Sequence, residues 1–104
     1  MSNVFKAIAD PTRRQVLALL RERPMSAGDL AAAFDHSKPT MSAHFAVLRE
    51  ANLVEAHKAG KSVVYRLRLS VLEDALLGFA GLFALGAEPS PAPTPIALNK
   101  EIAP

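Results

Sequence analysis

Ser37-Lys-Pro-Thr-Met-Ser-Ala-His-Phe-Ala-Val-Leu-Arg-Glu-Ala-Asn52 is the stretch on which the reading of this chain turns. Ser37 is a favoured helix N-cap, because its hydroxyl can accept from a backbone N–H two or three residues on. Pro39 falls in the first turn, where its missing N–H does no harm. Met41, Phe45 and Leu48 share one helical face and are predicted to be core. Pro39, Ser42, Ala43 and Ala46 face the opposite way, with Lys38, Thr40 and His44 on the shoulders. Asn52 suits the left-handed conformation that closes many helices. The stretch therefore reads as a helix to about Ala51 with a small, polar and cationic outer arc.

Toward the N-terminus, Ser26-Ala-Gly-Asp29 opens a shorter helix that ends near Phe34, with Asp29 placed to complete a capping box. Asp35-His36 is a tight turn between the two helices. Asp10-Pro11 starts an earlier helix, about Pro11 to Arg23, with Val16, Leu17, Leu19 and Leu20 as its apolar stripe and Pro24 as its stop. Residues 3–9 form a first short helix with Val4, Phe5 and Ile8 on one side.

Beyond Asn52 the hydrophobic period changes from helical to twofold. Val63, Tyr65, Leu67 and Leu69 alternate with Ser62, Val64, Arg66 and Arg68, as in a half-buried strand. Val54 to Lys58 is a weaker strand, and Ala59-Gly60-Lys61 is the loop of a hairpin. Ser70-Val-Leu-Glu73 is a second capping box, opening a fifth helix that runs to about Gly86. The predicted fold is mainly α with a small β-hairpin (α+β), a winged helix-turn-helix in the order α-α-α-α-β-β-α. In that architecture the second helix of the helix-turn-helix enters the DNA major groove with its N-terminal residues near base edges.

Composition supports this and excludes much else. The 104 residues make one domain the expectation, with 50% hydrophobic and 21% charged residues. Residues 1–86 are read as a DNA-binding and dimerisation domain, and residues 87–104, with Pro89, Pro91, Pro93, Pro95 and Pro104, as a flexible tail. That tail could also fold back on a subunit or support protein contacts. Residues 1–69 hold 11 Lys/Arg against 6 Asp/Glu, whereas residues 70–104 hold 1 against 4, so basic character is confined to the first two thirds. Such asymmetry suits an anionic partner. The absence of cysteine excludes disulfides, thiolate metal sites and cysteine nucleophiles. The N-terminus lacks a secretory pattern, and the longest uncharged apolar run, Ala75 to Ala87, is shorter than the roughly 20 residues of a membrane span. A cytoplasmic protein with no membrane insertion is the expectation. Nothing resembles a phosphate loop, a cofactor fingerprint or a catalytic constellation, so an enzyme is not expected and no cofactor is implied.

Phe5-Lys-Ala-Ile-Ala-Asp-Pro-Thr-Arg-Arg-Gln-Val-Leu17 resembles the opening of ArsR-type winged-helix transcriptional regulators. Ser37 to Val54 resembles their recognition helix, and Gly60-Lys-Ser-Val-Val-Tyr-Arg-Leu67 their wing. The resemblance covers about residues 3–85 and is strongest to the branch whose recognition helix begins Ser-Lys-Pro-Thr, the sporulation-delay-repressor-like group. It implies a homodimeric DNA-binding repressor. The Cys-x-Cys pair of the family's thiolate sensors is replaced here by Ser26 and Gly28, and the last helix has Glu73 and Asp74 but no His. The three histidines, His36, His44 and His57, lie on different predicted elements, so no metal site is expected.

The DNA-contact candidates are Ser37, Lys38, Pro39, Thr40, Ser42, Ala43 and His44 on the recognition helix, with Lys58, Lys61 and Arg66 on the wing. His44 could equally hydrogen-bond within the fold, and the wing cations could be ordinary edge-strand charge. Arg13 and Arg14 suit pairing with a carboxylate more than contact with DNA. The outer arc lacks Asn, Gln and Arg, the side chains of bidentate base readout, so specificity should lean on thymine methyls, half-site spacing and DNA shape. The fifth helix is apolar nearly all round, in two stripes: Leu72, Leu76, Phe79 and Phe83, then Val71, Ala75, Leu82 and Leu85. A body of this size cannot cover both, so Leu72, Leu76, Phe79, Leu82 and Phe83, joined by Val4, Phe5 and Ile8, are the candidate homodimer interface. A two-fold dimer predicts a palindromic operator. The inducer, whether a small molecule or a protein, is not legible. The competing reading is a winged-helix interaction adaptor without specific DNA binding.

Overall fold

The structure, a computed structural model, describes residues 2–83. Its elements are α1 (Ser2–Ile8), α2 (Pro11–Glu22), β1 (Met25–Ser26), α3 (Ala27–Ala32), α4 (Lys38–Glu50), β2 (Val54–Ala59), β3 (Ser62–Leu67) and α5 (Leu69–Leu82). This is the expected mostly helical winged helix-turn-helix, with one strand more than expected. The strand order is β1-β3-β2, both pairings antiparallel. β1 has only Met25 and Ser26, opposite Tyr65 and Val64. Two residues offer no alternation to read, so this strand was invisible to hydrophobic periodicity.

The helix starts follow the caps. The Asp10 carboxylate accepts from the Arg13 N–H at 3.0 Å, the Ser26 hydroxyl from the Asp29 N–H at 3.0 Å, and the Ser37 hydroxyl from the Thr40 N–H at 3.3 Å. Asn52 sits at φ 60°, where the chain leaves α4 for β2. Gly60, at φ 62°, takes the first central position of the hairpin turn, where a glycine meets no steric penalty. Two boundaries move from their expected places. Leu69 belongs to α5 rather than β3 and is exposed, and Ser70 lies inside α5, so it is not that helix's cap. The expected continuation of α5 to Gly86, Leu85 of its second stripe, and the tail 87–104 lie outside the described residues.

The chain divides into two compact units, one through Glu73 and one from Asp74. In the first, the core is built from Val4 and Ala7 of α1, Val16, Leu17 and Leu20 of α2, Leu30 of α3, and Met41, Phe45 and Leu48 of α4. Leu53, Val54 and Tyr65 close it, the Phe45 and Tyr65 rings lying 5.1 Å apart. Met41 and Leu48 are wholly buried, as their shared helical face requires. In the second unit, the described part of α5 buries Ala75 and leaves Leu76, Leu77, Phe79, Leu82 and, just past the helix end, Phe83 exposed.

Candidate nucleic-acid interface

The start of α4 and its cap form an exposed polar surface of the helix-turn-helix. Ser37, Lys38, Pro39, Thr40, Ser42 and Ala43 are all exposed. Ser37 and Thr40 are tied to each other, the Ser37 hydroxyl donating to Thr40 Oγ1 at 2.9 Å, so the cap holds the first turn in shape. Behind this edge, an open groove of about 460 Å³ separates α3 from α4, floored by Ala31, Met41 and Phe45 and rimmed by His36, Lys38 and Ser42.

His44 behaves differently from its neighbours. Its side chain is 15% exposed, and its Nδ1 lies 3.1 Å from Arg13 Nη1 and 4.0 Å from a carboxylate oxygen of Asp10. These contacts supply the intramolecular partners that one of its two roles from sequence requires. Arg13 and Arg14 are also structural, but not through the carboxylate pairing expected of them. Arg13 donates to the carbonyls of Ala7 at 2.7 Å and Lys6 at 3.0 Å, and Arg14 to those of Ile8 at 2.8 Å and Ala9 at 3.2 Å. These carbonyls lie at or just past the end of α1, where a guanidinium with only donors suits them; that of Lys6 also accepts from the Ala9 N–H at 3.3 Å. Asp10 is held below the usual carboxylate range, chiefly by the Arg13 backbone N–H; burial opposes this, and the charges of His44 and Arg13 and the Thr12 N–H add to the lowering.

The register of the hairpin separates the wing cations. Glu55 pairs with Arg66, His57 with Val64, and Lys58 with Val63. Paired residues share a face and successive residues alternate, so Lys58 and Arg66 lie on opposite faces of the ribbon. Lys61 is in the turn at its tip. On the Arg66 face, His57 meets Glu55 at 2.6 Å and Arg68 lies 3.8 Å from the same carboxylate.

The interface candidates also divide. Val4 is 5% exposed and belongs to the core of its own chain, so its burial asks for no second subunit. Phe5, Ile8 and Leu72 are half-buried. Leu76, Phe79, Leu82 and Phe83 are exposed, as is Leu77, which the two-stripe reading left out. Leu77 is 71% exposed, and a full wheel of the helix would have shown it as a third apolar flank.

A capped helix with a small exposed arc, set after a shorter helix and followed by a β-ribbon, defines a winged helix-turn-helix DNA-binding protein. A family model described as "Bacterial regulatory protein, arsR family" matches residues 10–56. The transcriptional repressor SdpR of Bacillus subtilis (strain 168) is 46% identical over 76 residues, 73% of this chain and 84% of that protein. The arsenical resistance operon repressor of Escherichia coli (strain K12) is 45% identical over 65 residues, 62% of this chain but 56% of that one. Among solved structures, an ArsR family transcriptional regulator matches with a TM-score of 0.74 at 28% identity, over 84% of this chain and 96% of the other. HlyU from Vibrio cholerae N16961 matches with a TM-score of 0.65 at 28% identity, over 80% of this chain and 90% of the other. The chain belongs to the arsR family of bacterial regulatory proteins. It is a DNA-binding transcriptional repressor, not an enzyme. Among the described residues no helix is long and apolar enough to cross a membrane, and no group of three or more His, Cys, Asp or Glu could hold a metal ion.

Proposed function

We propose that the protein acts in the cytoplasm as a homodimer that occupies a palindromic operator and blocks transcription there. One observation carries this reading: the first two turns of α4 present Lys38, Pro39, Thr40, Ser42 and Ala43 outward, while Met41 and Phe45 anchor the same turns in the core. A rigid helix edge with small side chains can approach base edges closely, and the neighbouring cation meets phosphate. Lys38, with Lys58 and Lys61 of the wing, supplies phosphate contacts, and Ser42 and Ala43 face the bases. The exposed Leu76, Leu77, Phe79, Leu82 and Phe83 supply one part of the dimer contact, and Phe5, Ile8 and Leu72 supply another. A two-fold pair sets the recognition helices roughly 34 Å apart, one turn of DNA. With no cysteine, the chain is not a thiol or thiolate-metal sensor. Its inducer is of another kind, a small molecule or a protein.

Selection of sites from a random duplex library, with wild type and Ser42→Arg in parallel, tests the reading. Wild type should recover a palindrome that the variant alters or loses. Recovery of no motif, with affinity vanishing as salt rises, would leave only nonspecific charge and favour the adaptor.

A further inference from the structure

The Arg13 side chain hydrogen-bonds to both α1 and the recognition helix. Its Nε and Nη2 donate to Ala7 and Lys6 at the C-terminal end of α1, and its Nη1 reaches His44 Nδ1 in α4 at 3.1 Å. Arginine has donors only, so His44 Nδ1 must be the acceptor and its proton must sit on Nε2. The link therefore exists only while His44 is neutral. Protonation would put two cations 3.1 Å apart and give Nδ1 a proton to donate. The acceptor then within reach is Asp10, whose carboxylate oxygen is 4.0 Å away. Asp10 stays ionised through mildly acidic pH, since the Arg13 N–H and nearby charges favour its anion.

From this geometry we infer that Arg13 is a positioning residue for DNA binding, clamping α4 to α1 through neutral His44, and that acidification releases the clamp by handing His44 to Asp10. The groups facing His44 are Arg13 and Asp10 from the start of α2 and His36 from the turn before α4, its ring centroid 6.4 Å away. From α1, Lys6 enters through the carbonyl that holds Arg13. The inference rests on the proposed reading in one respect, that α4 is the DNA-contacting helix. The clamp itself is a property of the chain without DNA. Nothing in it requires a cofactor or a bound ligand. Its consequence is a regulator whose operator affinity falls when His44 takes up a proton.

The test compares wild type with His44→Asn, whose amide oxygen can accept from Arg13 but does not titrate, and with His44→Leu, which offers no acceptor. Two quantities are measured at pH 8 and pH 5.5. One is amide hydrogen-exchange protection of α4 in the free protein, corrected for intrinsic exchange. The other is the ratio of affinities for the selected duplex and a random duplex. In wild type, α4 protection and the affinity ratio should both fall by about three- to tenfold at pH 5.5, the worth of one such hydrogen bond. His44→Asn should hold both near the wild-type pH 8 values, and His44→Leu should be low at both pH values. The inference is overturned if His44→Asn follows the wild-type pH profile, or if His44→Leu matches wild type in α4 protection. If protection behaves as expected and no duplex is preferred, the clamp stands and the DNA reading fails. Arg13→Lys, which keeps the charge but cannot span three acceptors, should resemble His44→Leu.

Discussion

Two exposed surfaces of this chain are chemically opposite. The outer edge of α4 shows Lys38, Thr40, Ser42 and Ala43, and α5 shows Leu76, Leu77, Phe79 and Leu82. Leaving Ser and Ala in water costs almost nothing, whereas each exposed Leu or Phe forgoes about 1.5–3 kcal/mol that burial would return. The first surface can wait in solvent for a wet, charged and salt-sensitive partner. The second has a reason to be covered at all times. On the proposed reading the two faces differ in lifetime of contact: a standing dimer through α5 and a reversible encounter through α4.

Charge placed on α5 should break this contrast most strongly. Leu77→Glu combined with Leu82→Glu alters residues that are 71% and 82% exposed, so the chain should fold normally. Sedimentation should show a monomer, and affinity for a palindromic duplex should fall by about 100-fold or more as the second half-site is lost. Affinity for an isolated half-site should change little. A double variant that remains dimeric would place the interface elsewhere.

A smaller effect separates the two faces of the wing. Lys61→Ala removes a cation from the ribbon tip, and Arg66→Ala removes one from the face where Glu55 already holds His57 and lies near Arg68. Lys61→Ala should lower the salt slope of DNA binding by about one and weaken all sequences alike. Arg66→Ala should leave that slope within error of wild type. Equal effects would mean that DNA wraps both faces of the hairpin.

Much of this was legible in the residues because it rests on local chemistry. Ser37, Asp10 and Ser26 cap the helices they were expected to cap, Asn52 takes the left-handed conformation, and Met41, Phe45 and Leu48 are core. What escaped depends on contacts distant in sequence. β1 exists because β3 offers Met25 and Ser26 an edge to pair with. The opposition of Lys58 and Arg66 appears only once the register is known, since both read simply as wing cations. Arg13 was recognised as structural, but its acceptors are carbonyls of α1 and the ring of His44, which no pairing of opposite charges would suggest. Val4 reads from sequence as an interface residue, although it is buried in its own chain, because apolar periodicity cannot say which body covers a stripe.

Asp10 offers the smallest effect: it lies on neither exposed face, and its cap of α2 can be read by stability apart from its position facing His44. Its carboxylate caps α2 through the Arg13 N–H, so Asp10→Ala should cost about 1 kcal/mol, roughly 4–8 °C in Tm for a domain of this size. The same bond lowers the Asp10 pKa in the folded state. A depressed carboxylate contributes stability that is fully present above its unfolded pKa, about 3.9, and is lost as pH falls through the lower folded value. Thermal unfolding followed from pH 7 down to pH 3 should therefore show the wild type converging on Asp10→Ala in acid. Asp10→Asn keeps an acceptor for the Arg13 N–H without a titrating charge. It should retain most of the cap at pH 7 and lose none of it as the pH drops. If Asp10→Asn is as unstable at pH 7 as Asp10→Ala, charge rather than the cap hydrogen bond holds the start of α2. In that case the anion facing His44 would itself be the main support of this corner of the fold.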